Sequence, residues 1–160
     1  MIILGIDPGN ALMGYGLIED LGGKIKFIEY GCFATEKNLK PALRLEKIFK
    51  ELSALIKKYK PETIAMESLF FFKNQKTIIK VSQAQGIVML AAALEKLPIV
   101  EFTPPQVKQA VTGYGKAEKQ QVQKMVKAIL NLKEIPKPDD AADALAIAIC
   151  AGHCRMTLPK

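Results

Sequence analysis

Met1-Ile2-Ile3-Leu4-Gly5-Ile6-Asp7-Pro8-Gly9, continuing as Asn10-Ala11-Leu12-Met13-Gly14-Tyr15-Gly16, is the stretch on which the fold of this 160-residue chain turns. Ile2, Ile3, Leu4 and Ile6 form an apolar run too short for a helix. Pro8-Gly9 closes it, so the run reads as a strand buried on both faces. Asp7 breaks the pattern. A carboxylate at the end of an apolar strand loses hydration, and a hydrogen-bonding or cationic partner has to offset that cost. Asp7 reads equally well as a turn cap before Pro-Gly and as a ligand for a divalent metal. Gly14 and Gly16 alternate through a second strand, Met13 to Asp20, where absent side chains admit another backbone or a phosphate.

Outward from this start, the Leu21-Gly22-Gly23-Lys24 turn leads to a third strand, Ile25 to Thr35, which Gly31 and Cys32 are expected to interrupt. Three sequential strands of this kind make an antiparallel meander. Pro41 opens a helix whose apolar positions Leu45, Ile48, Phe49, Leu52, Leu55, Ile56 and Tyr59 keep the helical period, ending before Pro61. Thr63 to Glu67 is a short strand that again ends on a carboxylate. Placed parallel to the first strand, it brings Glu67 to Asp7 at the crevice where open α/β sheets build their sites. Leu69 to Asn74 follows with three aromatics, Phe70, Phe71 and Phe72, suited to a core or to stacking on an unpaired base. Gln75 to Lys96 is a helix with more apolar and small surface than one packing face requires, which leaves room for a second copy of the chain. Ile99 to Phe102 is the last strand. A short helix follows Thr103-Pro104-Pro105, another covers Ala117 to Leu132, and an alanine-rich helix opens at Asp139-Asp140-Ala141-Ala142-Asp143 and runs to about Gly152.

Asp140 and Asp143 are three apart and share a helix face, where they can grip an ion or simply complement the helix dipole. Taken with Asp7 and Glu67 they form a set of hard oxygen donors without a convincing His or Cys partner set, which selects Mg2+ or Mn2+. Two such ions can drive phosphodiester hydrolysis. Cys150, His153 and Cys154 crowd into one turn and are a weak zinc signal. No P-loop is present, and a Ser or Cys hydrolase would lack a base other than His153, the one histidine.

The formal net charge is +7, and Arg44 and Arg155 are the only arginines among the basic residues. Lysine neutralises phosphate as a point charge, whereas arginine is the usual reader of guanine edges, so backbone and shape recognition of a polyanion is expected. The lysines concentrate at Lys108, Lys116, Lys119, Lys124, Lys127, Lys133 and Lys137. Neither a signal peptide nor a membrane-spanning segment is expected. The odd cysteine count (Cys32, Cys150 and Cys154) fits reduced thiols and a cytoplasmic location.

With Gly5-Ile6-Asp7-Pro8-Gly9, Gly14-Tyr15-Gly16, Glu67 before Phe70 and Lys73-Asn74, Gln83-Ala84-Gln85-Gly86, Gln106-Val107-Lys108, Ala117-Glu118-Lys119 and Asp140-Ala-Ala-Asp143 in this order, the chain resembles the RuvC-type Holliday junction resolvases. The resemblance runs to about His153. It implies an α/β, ribonuclease-H-like fold with a five-stranded mixed sheet, antiparallel through its first three strands and then parallel, flanked by helices; residues 1–153 form the nuclease domain and 154–160 a tail. It further implies Asp7, Glu67, Asp140 and Asp143 as catalytic ligands of two Mg2+ ions, with Mn2+ able to substitute. Phe70 would stack at the opened crossover, with Lys73, Lys108, Lys116 and Lys119 as DNA contacts. A homodimer paired through the Gln75 to Lys96 helix would nick four-way junctions symmetrically, leaving 5′-phosphate and 3′-hydroxyl ends, beside a RuvAB branch-migration complex. Asp139 beside Asp140 leaves open which carboxylate coordinates. Two rivals share the first motif. An actin-like or sugar-kinase ATP-binding fold needs a second domain, and against a YqgF-type nuclease acting on RNA ends the Phe70 loop and the Gln75 to Lys96 helix favour the resolvase.

Overall fold

The computed structural model describes residues 1–9, 12–36, 38–68 and 75–154. Three strands come first, β1 (Ile2–Pro8), β2 (Leu12–Asp20) and β3 (Ile25–Ala34). They are followed by α1 (Pro41–Tyr59), β4 (Thr63–Glu67), α2 (Gln75–Leu94), β5 (Ile99–Phe102), α3 (Pro104–Thr112), α4 (Lys119–Ile129) and α5 (Asp139–His153). The strands form one mixed sheet in the order β3-β2-β1-β4-β5, with β1–β2 and β2–β3 antiparallel and β1–β4 and β4–β5 parallel. This is the expected α/β architecture. No helix among the described residues is long and apolar enough to cross a membrane.

Because side chains alternate along a strand, β1 serves two cores at once. Leu4 and Ile6 pack with Ile64, Met66 and Leu17 against α1 and α2, where Ile48, Leu52, Leu55 and Ile56 of α1 and Ala84, Val88, Ala91 and Ala92 of α2 are buried. Ile3 packs on the other side with Ile18, Ala65, Phe102 and the buried faces of α3, α4 and α5. Asp7 and Glu67 share the parity of Ile3 and Ala65. Both therefore belong to the face that α5 covers.

On that face α5 lies against backbone rather than against side chains. A Cβ on Gly5 would stand 2.1 Å from the Ala144 carbonyl oxygen and 2.8 Å from the Ala148 nitrogen, and one on Gly14 would stand 2.0 Å from the Asp140 carbonyl oxygen. The glycine alternation thus admits a helix. The alanines that line α5, among them Ala141, Ala144 and Ala148, are its complement, buried to within a few per cent.

Several element limits shift by one to three residues from the sequence expectation, and two differences have a visible cause. β3 runs unbroken through Gly31 and Cys32, since Gly31 leaves room for the Tyr15 ring of β2, whose hydroxyl would lie 2.6 Å from an added Cβ. The irregularity of this ladder falls instead between Leu17 and Ile18. α4 starts at Lys119 rather than Ala117, because Glu118 caps it and donates its backbone N–H to the Gln121 side chain at 2.8 Å.

Gly5→Ala should destabilise the protein by about 1–3 kcal/mol through overpacking against α5. Urea unfolding measures this, and an unchanged midpoint would mean that α5 stands further from β1 than these distances imply.

Candidate active site

Parallel pairing of β1 with β4 sets Ile6 opposite Met66, so the next residues of the two strands are Asp7 and Glu67. Across the antiparallel ladder Asp7 faces Gly14, and the close approach of Gly14 to Asp140 brings the first turn of α5 over the same spot. Asp140 turns its carboxylate towards the Pro8-Gly9 turn, with Oδ1 3.0 Å from where a Gly9 Cβ would stand. One turn further along α5, Asp143 borders a cleft of about 250 Å3 together with Glu67, Lys108 and Lys119 over a floor that includes Val107, Val122 and Ala146.

Helix starts aim the two lysines. Thr103 and Gln106 form a reciprocal capping box, 2.8 Å from the Thr103 N–H to Gln106 Oε1, which fixes α3 and with it Lys108. Lys119, the first residue of α4, directs Nζ between Asp143 at 3.1 Å and Asp139 at 3.2 Å. The resemblance implies a phosphate contact for Lys119, and nothing in the sequence links position 119 to positions 139 and 143. Gln123, one turn on from Lys119, donates to Asp139 Oδ1 at 3.1 Å. This partner too is missed, although its spacing from Lys119 is that of a shared helix face.

Of the residues singled out from the sequence, Asp7, Glu67, Asp140, Asp143, Lys108 and Lys119 come together. Lys116 is exposed in the turn between α3 and α4, outside the cleft. Phe70 and Lys73 lie outside the described residues. Asp139 is exposed on the rim, whereas Asp140 is half-buried beside Asp7. Gln85, which the sequence places within the Gln83 to Gly86 motif without a role, is buried on α2; its side-chain amide donates to the Glu67 carbonyl at 3.0 Å and steadies the end of β4. Cys32 approaches the group from β3, where burial and the charges of Asp140 and Asp7 push its thiol up to about 11.

The family model for the crossover junction endodeoxyribonuclease RuvC matches residues 3–151. The chain belongs to the RuvC family. A RuvC of Desulforamulus reducens is 59% identical over 150 residues, covering 94% of this chain and 92% of that protein. The solved structure of Thermus thermophilus RuvC is 36% identical and superposes with a TM-score of 0.89, covering 98% of this chain and 96% of that one. A second structure from the same organism, in complex with a Holliday junction substrate, is 33% identical, also with a TM-score of 0.89, and covers 98% and 97%. Membership makes this chain an endodeoxyribonuclease, and the family uses divalent metal.

The carboxylates fit such a metal by their chemistry. Burial first, and then the charges of Asp143, Asp140 and Glu67, push the Asp7 carboxyl up to about 7, with Lys119 opposing them. Glu67 is raised by burial and by Asp143 against Lys108, and Asp143 by burial against Lys119. The site therefore holds more negative charge than its lysines balance, on oxygen donors suited to a hard cation. As they stand, no three His, Cys, Asp or Glu side chains among the described residues converge closely enough to hold an ion.

A carboxyl whose folded pKa lies above its unfolded one stabilises the fold at low pH and loses that contribution as pH rises through the folded value. Metal-free protein should therefore lose stability between about pH 4 and pH 7, by up to about 4 kcal/mol from Asp7. Asp7→Asn should flatten that slope in denaturation with chelator present. The same slope in both proteins would remove Asp7 as its source.

Proposed function

We propose that Asp7, Glu67, Asp140 and Asp143 hold two Mg2+ ions, and that this junction-cleaving hydrolase uses them to nick two strands of like polarity in a four-way DNA junction. One observation carries the reading: four carboxylates from β1, β4 and α5 gather on one face of the sheet, beside a cleft that Lys108 and Lys119 flank. When bound, the ions supply Lewis-acid activation of the attacking water and charge stabilisation at the leaving oxygen. The apolar floor of Val107, Val122 and Ala146 limits water around the reacting phosphate and strengthens the field of the groups above it. Lys108 and Lys119 neutralise phosphate next to the scissile bond, and Lys116 extends the basic rim. Phe70, shortly after Glu67 in sequence, supplies the stacking surface at the crossover, with Lys73 as a neighbouring phosphate contact.

Paired nicks need two sites. α2 offers the surface that brings two copies together: its side towards the sheet buries Ala84, Val88, Ala91 and Ala92, yet Ile79, Met89, Leu90 and Leu94 remain 60%, 44%, 49% and 63% exposed. An apolar stripe along one helix is the pattern of a self-complementary helix pair. Work beside a RuvAB branch-migration complex in the cytoplasm rests on the family alone.

The deciding experiment compares synthetic four-way junction, linear duplex and flap DNA in Mg2+ or chelator, with the nicks mapped. Wild type should cut the junction alone, and only with metal. Asp7→Asn should abolish cutting while keeping or improving junction affinity, because it removes a metal ligand together with a charge that repels phosphate. Parallel loss of binding and cutting in a folded variant would argue against the assignment.

Leu90→Glu should yield a folded monomer in sedimentation that no longer makes paired nicks. A Leu90→Glu dimer would move the contact off α2.

A further inference from the structure

Asp139 stands apart from the carboxylates gathered on Asp7. Those bearing on Asp7 are Asp143, Asp140 and Glu67, whereas Asp139 is exposed and engages Lys119 and Gln123 instead. Asp139 and Asp143 are one helical turn apart on α5, and the Lys119 amine stands almost equally between them, at 3.2 Å and 3.1 Å. Asp143 cannot serve the amine and a divalent ion equally, since the two cations repel each other across one carboxylate. Asp139 has no such conflict: Gln123 occupies Oδ1 at 3.1 Å and so turns Oδ2 towards the amine.

Building on the reading of Asp143 as a metal ligand, we propose that Asp139 is a positioning residue for Lys119, which it takes over from Asp143 when metal enters and keeps at the rim of the cleft. Asp139 is then no ligand of the ion. It lowers the competition that Lys119 offers to the ion, and it holds the amine where phosphate arrives. Without Asp139 the amine falls back on Asp143 alone and competes harder.

A double-mutant cycle read by calorimetry with Mn2+, on DNA-free and metal-stripped protein, tests this. Asp139→Asn should weaken Mn2+ binding about two- to fourfold, the size of one exposed ion pair. Lys119→Met should strengthen it, and adding Asp139→Asn to Lys119→Met should change nothing further. Asp139→Glu, which keeps the charge, should restore the wild-type isotherm. In junction cleavage, Asp139→Asn should raise the half-saturating Mg2+ concentration by the same factor.

An Asp139→Asn effect that persists at full size in the Lys119→Met background would make Asp139 act on the ion directly and overturn the proposal. A lowered melting temperature with an unmoved Mn2+ isotherm would reduce Asp139 to a helix-start residue and overturn it as well. Wild-type protein that takes up no Mn2+ would remove the metal reading itself, whereas wild type that binds Mn2+ indifferently to Asp139 would remove only the positioning role.

Discussion

The structure depends on direct contact between helix α5 and the backbone of β1 and β2. Gly5, Gly14 and Gly16 clear a path in the centre of the sheet, and α5 fills it with Ala141, Ala144, Leu145 and Ala148. Close approach of this kind leaves little freedom in how far along the sheet the helix sits, because an added methyl has no space to enter. The chemistry inherits that restriction. Asp140 and Asp143 reach the ends of β1 and β4 because Gly5 on β1 and Gly14 and Gly16 on β2 hold the helix there, and Asp7 stands on the same face by simple alternation.

Charge is distributed in opposition to this geometry. The interior end of the cleft is crowded with carboxylates, while the chain as a whole carries +7 and places Lys108 and Lys119 at the rim. Such a site repels a bare phosphate at its centre and attracts it at its edge. A cation held in the middle, as proposed, would reconcile the two, so substrate and metal are expected to favour each other's binding. Lys119, lying across Asp143 and Asp139, is the positive charge that limits the repulsion in the structure as it stands.

Much of this was legible in one dimension. The meander followed from three strands with short connections, and the meeting of Asp7 and Glu67 followed from two strands that each end on an acid and run parallel. The glycine alternation announced close approach but could not name what approaches, since helix and phosphate need the same vacancy. Gly31 looked like an interruption, yet its neighbour across the ladder is an aromatic ring that uses the space. Asp139 and Asp140 were indistinguishable because adjacent residues on a helix diverge by about 100°, and the phase of α5 is set by glycines more than a hundred residues earlier. The bridging position of Lys119 was illegible for a related reason: it depends on where α4 begins relative to α5, which the caps of two separate helices decide.

Helix α2 carries two obligations on opposite sides. Inward, Gln85 grips the carbonyl of Glu67 among Ala84, Val88 and Ala92; outward, Ile79, Met89, Leu90 and Leu94 form an apolar seam. A helix turned by one residue would withdraw Gln85 from β4 and tilt the seam away in the same movement. The two sides are thus locked in phase: a single residue inserted between Gln85 and Met89 would turn one against the other by about 100°, so the inward grip on β4 and the outward apolar stripe cannot be adjusted separately.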